Sequence, residues 1–209
     1  MENRYDPLAV LISGRGSNLG AILRATDEGR LRARVAMVVS SRATAAGLDL
    51  ARSAGVETQV ISPRDFPSRD AYDRALVDVL RARAVRLVCL AGFMHVLGAS
   101  FCAAFPDAIL NIHPSLLPAF PGVDAQRQAL EHGAKVAGAT VHLVTPELDA
   151  GPIVMQSTVP VLDDDTVETL SARILVEEHR LYPEAIGRIL AGRWRLQGRR
   201  VLFDAAPTD

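Results

Sequence analysis

Cysteine, net charge and long hydrophobic runs are all scarce in this 209-residue chain. The two cysteines, Cys89 and Cys102, show no metal-ligand spacing, which fits free thiols in a reducing compartment better than a disulfide framework. The 23 basic and 24 acidic residues leave a net charge of −1, which favours neither nucleic acid nor a membrane surface as a partner. No apolar run approaches the ~20 residues of a membrane span, and residues 1–7 lack the order of a signal peptide. We therefore expect a cytoplasmic protein without nucleic-acid or membrane partners.

The apolar content, 49% of the residues against 22% charged, is typical of a globular protein with a full core. Short apolar runs alternate with segments of helical periodicity along the chain. This order predicts an α/β fold, a doubly wound, mostly parallel sheet with helices on both faces. We expect residues 1–192 to form one domain and residues 193–209 a C-terminal tail with a small hairpin. The last long strand, residues 154–162, is expected to run antiparallel.

The most informative stretch is residues 108–118, which read Ala-Ile-Leu-Asn-Ile-His-Pro-Ser-Leu-Leu-Pro. The apolar residues around Asn111 and His113 indicate a buried strand. Because strand side chains alternate, Asn111 and His113 project from the same face, and Pro114 ends the strand since it cannot donate to a neighbour. An amide and an imidazole therefore lie together at the open end of a core strand, where ligands bind in open α/β sheets.

A loop at residues 145–152 supplies a third polar group, the carboxylate of Asp149, after a strand that also carries His142. Asn111 and His113 alone could be an ordinary hydrogen-bonded pair, but the added carboxylate favours acyl transfer to an amine. The amide and the imidazolium would stabilise the oxyanion, and the carboxylate would hold the imidazole in its charged form. No protein nucleophile is required, because the amine itself attacks.

A glycine-rich turn, residues 14–18, lies between the first predicted strand and a helix. Such a turn exposes backbone N–H groups at a helix start, so Gly16, Ser17 and Asn18 are candidates for binding an anion. A tight turn without a ligand would have the same sequence pattern.

The same turn resembles part of a dinucleotide fingerprint, although Leu19 stands where a third glycine is expected. Residues 40–42, Ser-Ser-Arg, could then hold the 2′-phosphate of NADP in an oxidoreductase. That alternative gives Asn111, His113 and Asp149 no shared role. A regulatory nucleotide-binding module would likewise not need the imidazole and the carboxylate together.

The string from Asn111 to Pro118, followed by Leu-Asp-Ala-Gly-Pro at residues 148–152, resembles the folate-dependent formyltransferases. The resemblance runs from Val10 to about Ile189. It implies a Rossmann-like formyltransferase fold and transfer of a formyl group from 10-formyltetrahydrofolate to the amine of glycinamide ribonucleotide in purine biosynthesis. The expected partners, 10-formyltetrahydrofolate and glycinamide ribonucleotide, are small molecules. The resemblance implies no metal and leaves open whether the protein forms a homodimer.

The resemblance also assigns roles to residues. Three would be catalytic: Asn111, His113 and Asp149. Gly16, Ser17 and Asn18 would bind the substrate phosphate in an N-terminal half, with the folate and the catalytic groups in a C-terminal half. The folate would contact Arg69, Met94, His95, Val96, Leu97 and Asn111, and Glu178 would lie near the substrate amine. An exposed ion pair at the helix start is the alternative for Arg69.

Three positions depart from the family pattern. His95 stands where the family often has Arg, and Asp124 and Gln126 occupy a segment where it often has His. We therefore expect His113 to be the only strong acid–base candidate.

Two related activities are also considered. Formyltetrahydrofolate hydrolases carry an N-terminal regulatory domain and usually a second His in place of Pro114. Methionyl-tRNA formyltransferases carry a C-terminal RNA-binding domain and a basic surface. We expect neither of these two activities for this sequence.

Overall fold

The computed structural model describes residues 5–204. Its strands are β1 Asp6–Ile12, β2 Ala33–Ser40, β3 Glu57–Val60, β4 Leu87–Leu90, β5 Ile109–His113, β6 Val136–Leu143, β7 Ile153–Pro160, β8 Trp194–Gln197 and β9 Arg200–Phe203. Its α-helices are α1 Ser17–Asp27, α2 Gly47–Ser53, α3 Arg69–Arg81, α4 Ala99–Ala104, α5 Ala125–Glu131 and α6 Val167–Leu190. A single turn of 3₁₀-helix spans Pro63–Asp65.

All the strands join one sheet in the order β3-β2-β1-β4-β5-β6-β7-β9-β8. Strands β1 to β5 are parallel, and each of the two faces has its own buried cluster. One cluster packs α1, α2 and α6 on the sheet through residues such as Ile22, Leu48 and Ile174. The other packs α3 and α4 through residues such as Leu76 and Phe101. The predicted doubly wound, mostly parallel sheet is confirmed.

The direction of one strand was predicted wrongly. Strand β6 runs against β1 to β5, since it is antiparallel to both β5 and β7. Strand β8 also runs against them, because it is antiparallel to β9, which is parallel to β7. Because β7 reverses the direction of β6, it runs the same way as β1 to β5. The alternating pattern of residues 154–162 indicates a strand but carries no information about its direction, which depends on where the chain re-enters the sheet.

The small hairpin predicted in the C-terminal tail is confirmed, with Gly198 in its turn, and it extends the sheet. β9 pairs in parallel with β7 at Ile153 and Arg200, and β8 pairs with β9. The ends of the predicted domain and tail, residues 1–4 and 205–209, lie outside the described residues. No helix within the described part of the chain is both long enough and apolar enough to cross a bilayer.

Helix α6 is attached to the centre of the sheet by the fully buried side chain of Tyr182. Its hydroxyl lies 2.9 Å from the carbonyl oxygen of Leu90 and 3.0 Å from that of Leu110, so its proton is shared between β4 and β5. Leu90 is the last residue of β4, and Leu110 directly precedes Asn111 in β5. The longest helix is therefore fixed against the strand that carries the central motif.

We expect Tyr182→Phe to lower the free energy of unfolding by about 1–3 kcal/mol, because it withdraws the hydroxyl from two buried carbonyls. Tyr72→Phe is the matched control, since the buried Tyr72 hydroxyl has no hydrogen-bond partner among residues 5–204. Urea unfolding of both variants measures the difference. Equal losses in the two variants would contradict this account of Tyr182.

Candidate active site

Strand pairing brings two imidazoles and one amide to the carboxyl end of β5. In the antiparallel register of β5 and β6, Asn111 lies opposite His142 and His113 lies opposite Thr140. The Nδ2 atom of Asn111 is 3.1 Å from Nε2 of His142. His113 is 5% and His142 2% exposed, so both rings are shielded from bulk water.

The carboxylate of Asp149 completes this cluster from the loop between β6 and β7. Its Oδ2 is 3.4 Å from Nδ1 of His113, and its Oδ1 is 3.7 Å from Nε2 of His142. The Gly122 N–H donates to Oδ2 at 2.8 Å. The structure thus brings together Asn111, His113 and Asp149, which sequence analysis grouped, and adds His142.

Both ring nitrogens of His113 face oxygen atoms that can only accept hydrogen bonds. Nε2 is 2.9 Å from the carbonyl oxygen of Phe120, and Nδ1 faces the Asp149 carboxylate. A neutral imidazole has one N–H and one lone pair, so it satisfies only one of these neighbours. The imidazolium satisfies both. The geometry therefore favours the charged ring, as acyl transfer with an oxyanion requires.

His142 plays a different part, and sequence analysis did not place it in the site. Its Nδ1–H donates to the carbonyl of Leu143 at 3.0 Å, which leaves Nε2 to accept from Asn111. Burial is the main cause that lowers the pKa of His142, and the nearby His113 lowers it further. His142 is therefore a neutral ring that fixes the orientation of the Asn111 amide. The register of the two strands therefore brings a second imidazole to the site, as a support for Asn111. The expectation that His113 is the only strong acid–base candidate stays a prediction.

Two loops around the cluster hold backbone conformations that L-residues rarely adopt. Phe120 has φ 53°, Asp124 φ 55° and Asp149 φ 48°. The left-handed conformation costs about 1–2 kcal/mol per residue, and such strain collects at functional sites. The Phe120 carbonyl and the Asp149 carboxylate are held in place by the contacts to His113 and Gly122.

The glycine-rich turn forms a second polar site at the same edge of the sheet, because β1 and β5 are parallel. Gly16 has φ 76°, and a Cβ there would stand 2.7 Å from Cα of Gly47. Helix α1 begins at Ser17, and no side chain within residues 5–204 caps it. Its first backbone N–H groups are therefore available to an anion.

The structure connects two residues that sequence analysis placed in different roles. The Nδ2 atom of Asn18 donates to Oε2 of Glu178 at 2.7 Å, and both side chains are buried. Burial raises the pKa of Glu178, while the bond from Asn18 lowers it. The Asn18 amide is therefore engaged by Glu178, and Glu178 on α6 lies beside the glycine-rich turn.

The predicted folate residues lie at the start of α3 and in the segment after β4. Arg69 is exposed at the first position of α3. Met94 and Val96 are 63% and 43% exposed, whereas Leu97 is 3% exposed and belongs to the core. The ring of His95 packs edge-on against Phe93, and burial followed by the charge of Arg42 lowers the pKa of His95.

A family model described as formyl transferase matches residues 7–186. The chain belongs to the formyl transferase family. It is 42% identical to the phosphoribosylglycinamide formyltransferase of Escherichia coli (strain K12), over 94% of this chain and 93% of that protein. The crystal structure of glycinamide ribonucleotide transformylase 1 from Symbiobacterium toebii superposes with a TM-score of 0.94 at 56% identity, covering 97% of this chain and 95% of that one. The family resemblance predicted from the Asn111 motif is confirmed.

A longer relative contains a homologous segment. The trifunctional purine biosynthetic protein adenosine-3 of Bos taurus is 46% identical over 90% of this chain. The chain spans only 19% of the length of that relative.

In this formyl transferase, two of the departures from the family pattern lie near the strained loops. Asp124 is exposed and directly precedes α5, and Gln126 is half-buried in the first turn of that helix. No group of three or more His, Cys, Asp or Glu side chains between residues 5 and 204 is arranged to hold a metal ion.

We expect ¹⁵N NMR of the substrate-free protein at pH 7 to show protons on both ring nitrogens of His113. Asp149→Asn should leave a neutral ring, because the amide no longer offers an anionic partner to Nδ1. The exposed ring of His132, hydrogen-bonded to the Gln128 carbonyl, serves as the internal control. Identical His113 spectra in the wild type and Asp149→Asn would show that the carboxylate does not stabilise the imidazolium.

Proposed function

We propose that this chain transfers the formyl group of 10-formyltetrahydrofolate to the primary amine of glycinamide ribonucleotide, a step of purine biosynthesis. The observation that carries the proposal is the placement of His113, whose two ring nitrogens both face acceptor oxygens beside the Asn111 amide. That arrangement suits a developing oxyanion. Relatives that align over nearly their whole length carry the names phosphoribosylglycinamide formyltransferase and glycinamide ribonucleotide transformylase.

In the proposed reaction, the amine of the substrate attacks the formyl carbon and a tetrahedral oxyanion forms. His113 Nε2–H donates to the Phe120 carbonyl in this structure, and it would exchange that carbonyl for the oxyanion as the charge forms, because Nδ1 faces Asp149. The Asn111 amide has a second N–H besides the one directed at His142. Together, these two N–H groups would form an oxyanion site.

Collapse of the tetrahedral intermediate breaks the bond between the formyl carbon and the folate nitrogen. The attacking amine loses a proton and the leaving nitrogen gains one, so the reaction is balanced without a protein nucleophile. Asp149 supports the imidazolium and orients a water molecule that relays the proton. Asn111, His113 and Asp149 are thus the proposed catalytic residues, with His142 holding the amide of Asn111.

The phosphate of glycinamide ribonucleotide would bind at the start of α1. The backbone N–H groups of Ser17 and Asn18, reached because Gly16 turns the chain, supply the donors. Since the Asn18 side chain is bonded to Glu178, we assign its phosphate contact to the backbone. Glu178 would then meet the substrate amine.

The folate would lie between Arg69 and the 94–97 segment. Exposed Met94 and Val96 offer an apolar surface to a flat ring, His95 lies between them, and the backbone of Leu97 contributes while its side chain faces the core. We assign phosphate binding to the N-terminal half of residues 1–192, and folate binding and catalysis to the C-terminal half, to which the N-terminal half adds Arg69. Residues 193–209 are assigned as a tail. We also propose a cytoplasmic location, which the two free cysteines support because thiols persist in a reducing compartment. The near-zero net charge fits small-molecule substrates better than nucleic acid.

Isothermal calorimetry separates this assignment from the dinucleotide alternative. Glycinamide ribonucleotide should bind, and its dephosphorylated form should bind much more weakly, because the donors at the start of α1 lose their anion. NADP should bind weakly or not at all, since Leu19 occupies the third-glycine position. Tight binding of NADP, or indifference to the phosphate, would contradict the phosphate-site assignment.

Asn111→Ala and His113→Ala should each lower kcat by a factor on the order of 10²–10³, the usual cost of losing one oxyanion donor. KM should change little, because the lost interaction is made only in the transition state. Steady-state kinetics with both substrates provides the measurement. If His113→Ala retained its kcat and lost folate affinity, His113 would be a binding residue and the proposed mechanism would fail.

A further inference from the structure

Asp73 is a carboxylate on the buried face of α3, where its neighbours are apolar or aromatic. Its side chain is completely inaccessible to solvent. Burial raises the pKa of Asp73, and the hydrogen bond from Gly98 and the charge of Arg69 oppose that rise. An ionisable group in such a position is unfavourable unless specific partners hold it. The proposed reaction does not use it.

The partner of Asp73 is the backbone of Gly98, the residue that precedes α4. The Gly98 N–H donates to Oδ2 of Asp73 at 2.8 Å. Gly98 has φ −81° and ψ 173°, so its backbone conformation does not require glycine. The lack of space requires glycine, because a Cβ at this position would stand 2.5 Å from Oδ2 of Asp73 and 3.3 Å from Cδ of Arg69. Asp73, Gly98 and the stem of Arg69 therefore fit together as one unit.

Gly98 is the last residue of the 92–98 segment, whose other end is also fixed by hydrogen bonds. The Ser13 N–H donates to the Gly92 carbonyl at 3.1 Å, and the Met94 N–H donates to Oγ of Ser13 at 3.0 Å. Between these two anchors, Phe93 and Leu97 face the core while Met94 and Val96 are exposed. The segment is thus a surface held at both ends, by Ser13 and by Asp73.

We propose that Asp73 is a positioning residue for folate binding, which holds the end of the 92–98 segment against Arg69. The proposal rests on the proposed function, because the segment and Arg69 are assigned to the folate there. Asp73 touches neither substrate. It acts through the Gly98 amide, and so sets the spacing between the exposed side chains of the segment and the Arg69 stem.

Three variants separate the hydrogen bond from the charge. Asp73→Leu keeps a similar volume and removes the acceptor. Asp73→Asn removes the charge but keeps an amide oxygen that can accept from the Gly98 N–H. Asp70→Asn is the matched control, because Asp70 lies in the same helix, is exposed and contributes to the charge around Asp73.

Two measurements are made on the full-length protein. The first is amide hydrogen exchange at Gly98 and in residues 93–97 without substrate. The second is steady-state kinetics with 10-formyltetrahydrofolate and glycinamide ribonucleotide. We expect Asp73→Leu to speed exchange at Gly98 and to raise KM for the folate roughly tenfold, the scale of one hydrogen bond to a charged group. KM for glycinamide ribonucleotide and kcat should stay near the wild-type values, and Asp73→Asn and Asp70→Asn should resemble the wild type in both measurements.

Wild-type exchange and folate KM in Asp73→Leu would overturn the proposal, as would an Asp73→Asn variant as impaired as Asp73→Leu. If Asp73→Leu did not fold, Gly98→Ala would test the same contact from the other side, because its methyl group displaces the carboxylate. Faster exchange in residues 93–97 of Gly98→Ala would support the proposal, and unchanged exchange would overturn it. If the wild type transferred no formyl group, the proposed function would fail, while hydrogen exchange would still decide whether Asp73 holds the segment.

Discussion

The contact between His113 and Asp149 depends on three stretches of chain that meet at one edge of the sheet. β5 ends at His113, the loop after β6 carries Asp149, and the loop before α5 supplies Phe120 and Gly122. The Phe120 carbonyl and the Gly122 N–H bind the imidazole and the carboxylate from opposite sides. The charged ring is therefore held by a closed arrangement of partners, and moving any one stretch would leave a buried polar group unsatisfied.

The rest of the fold keeps these stretches in position. Thr140, opposite His113, donates to the Ser115 carbonyl at 2.7 Å and accepts from the Leu117 N–H at 3.0 Å. Gln156 on β7 donates to the Leu117 carbonyl at 2.9 Å. These bonds attach the loop that follows His113 to β6 and β7, while Tyr182 fixes β5 from the other side. A rigid support of this kind suits the proposed oxyanion site, because groups that are already in position need little reorganisation when the charge develops.

Much of this site could be predicted from local sequence. The alternation of residues around Asn111 and His113 predicts that their side chains lie on the same face of the strand. The glycine-rich turn predicts free backbone N–H groups at the start of α1. The role of His142 could not be predicted in the same way, because it depends on which residue of β6 lies opposite Asn111. The direction of β6 and the hydrogen bond between Asn18 and Glu178 also depend on tertiary structure. They arise between residues far apart in sequence, where neither periodicity nor spacing carries information.

The central claim is that the substrate amine, and not water, receives the formyl group at the Asn111–His113 site. The direct measurement uses 10-formyltetrahydrofolate labelled with ¹³C in the formyl group, followed by NMR with and without glycinamide ribonucleotide. The account predicts that the label appears in the formamide of the ribonucleotide product, and that no tetrahydrofolate is released when the amine substrate is omitted. Labelled formate released at the same rate with and without the amine would contradict it, because the site would then be hydrolytic.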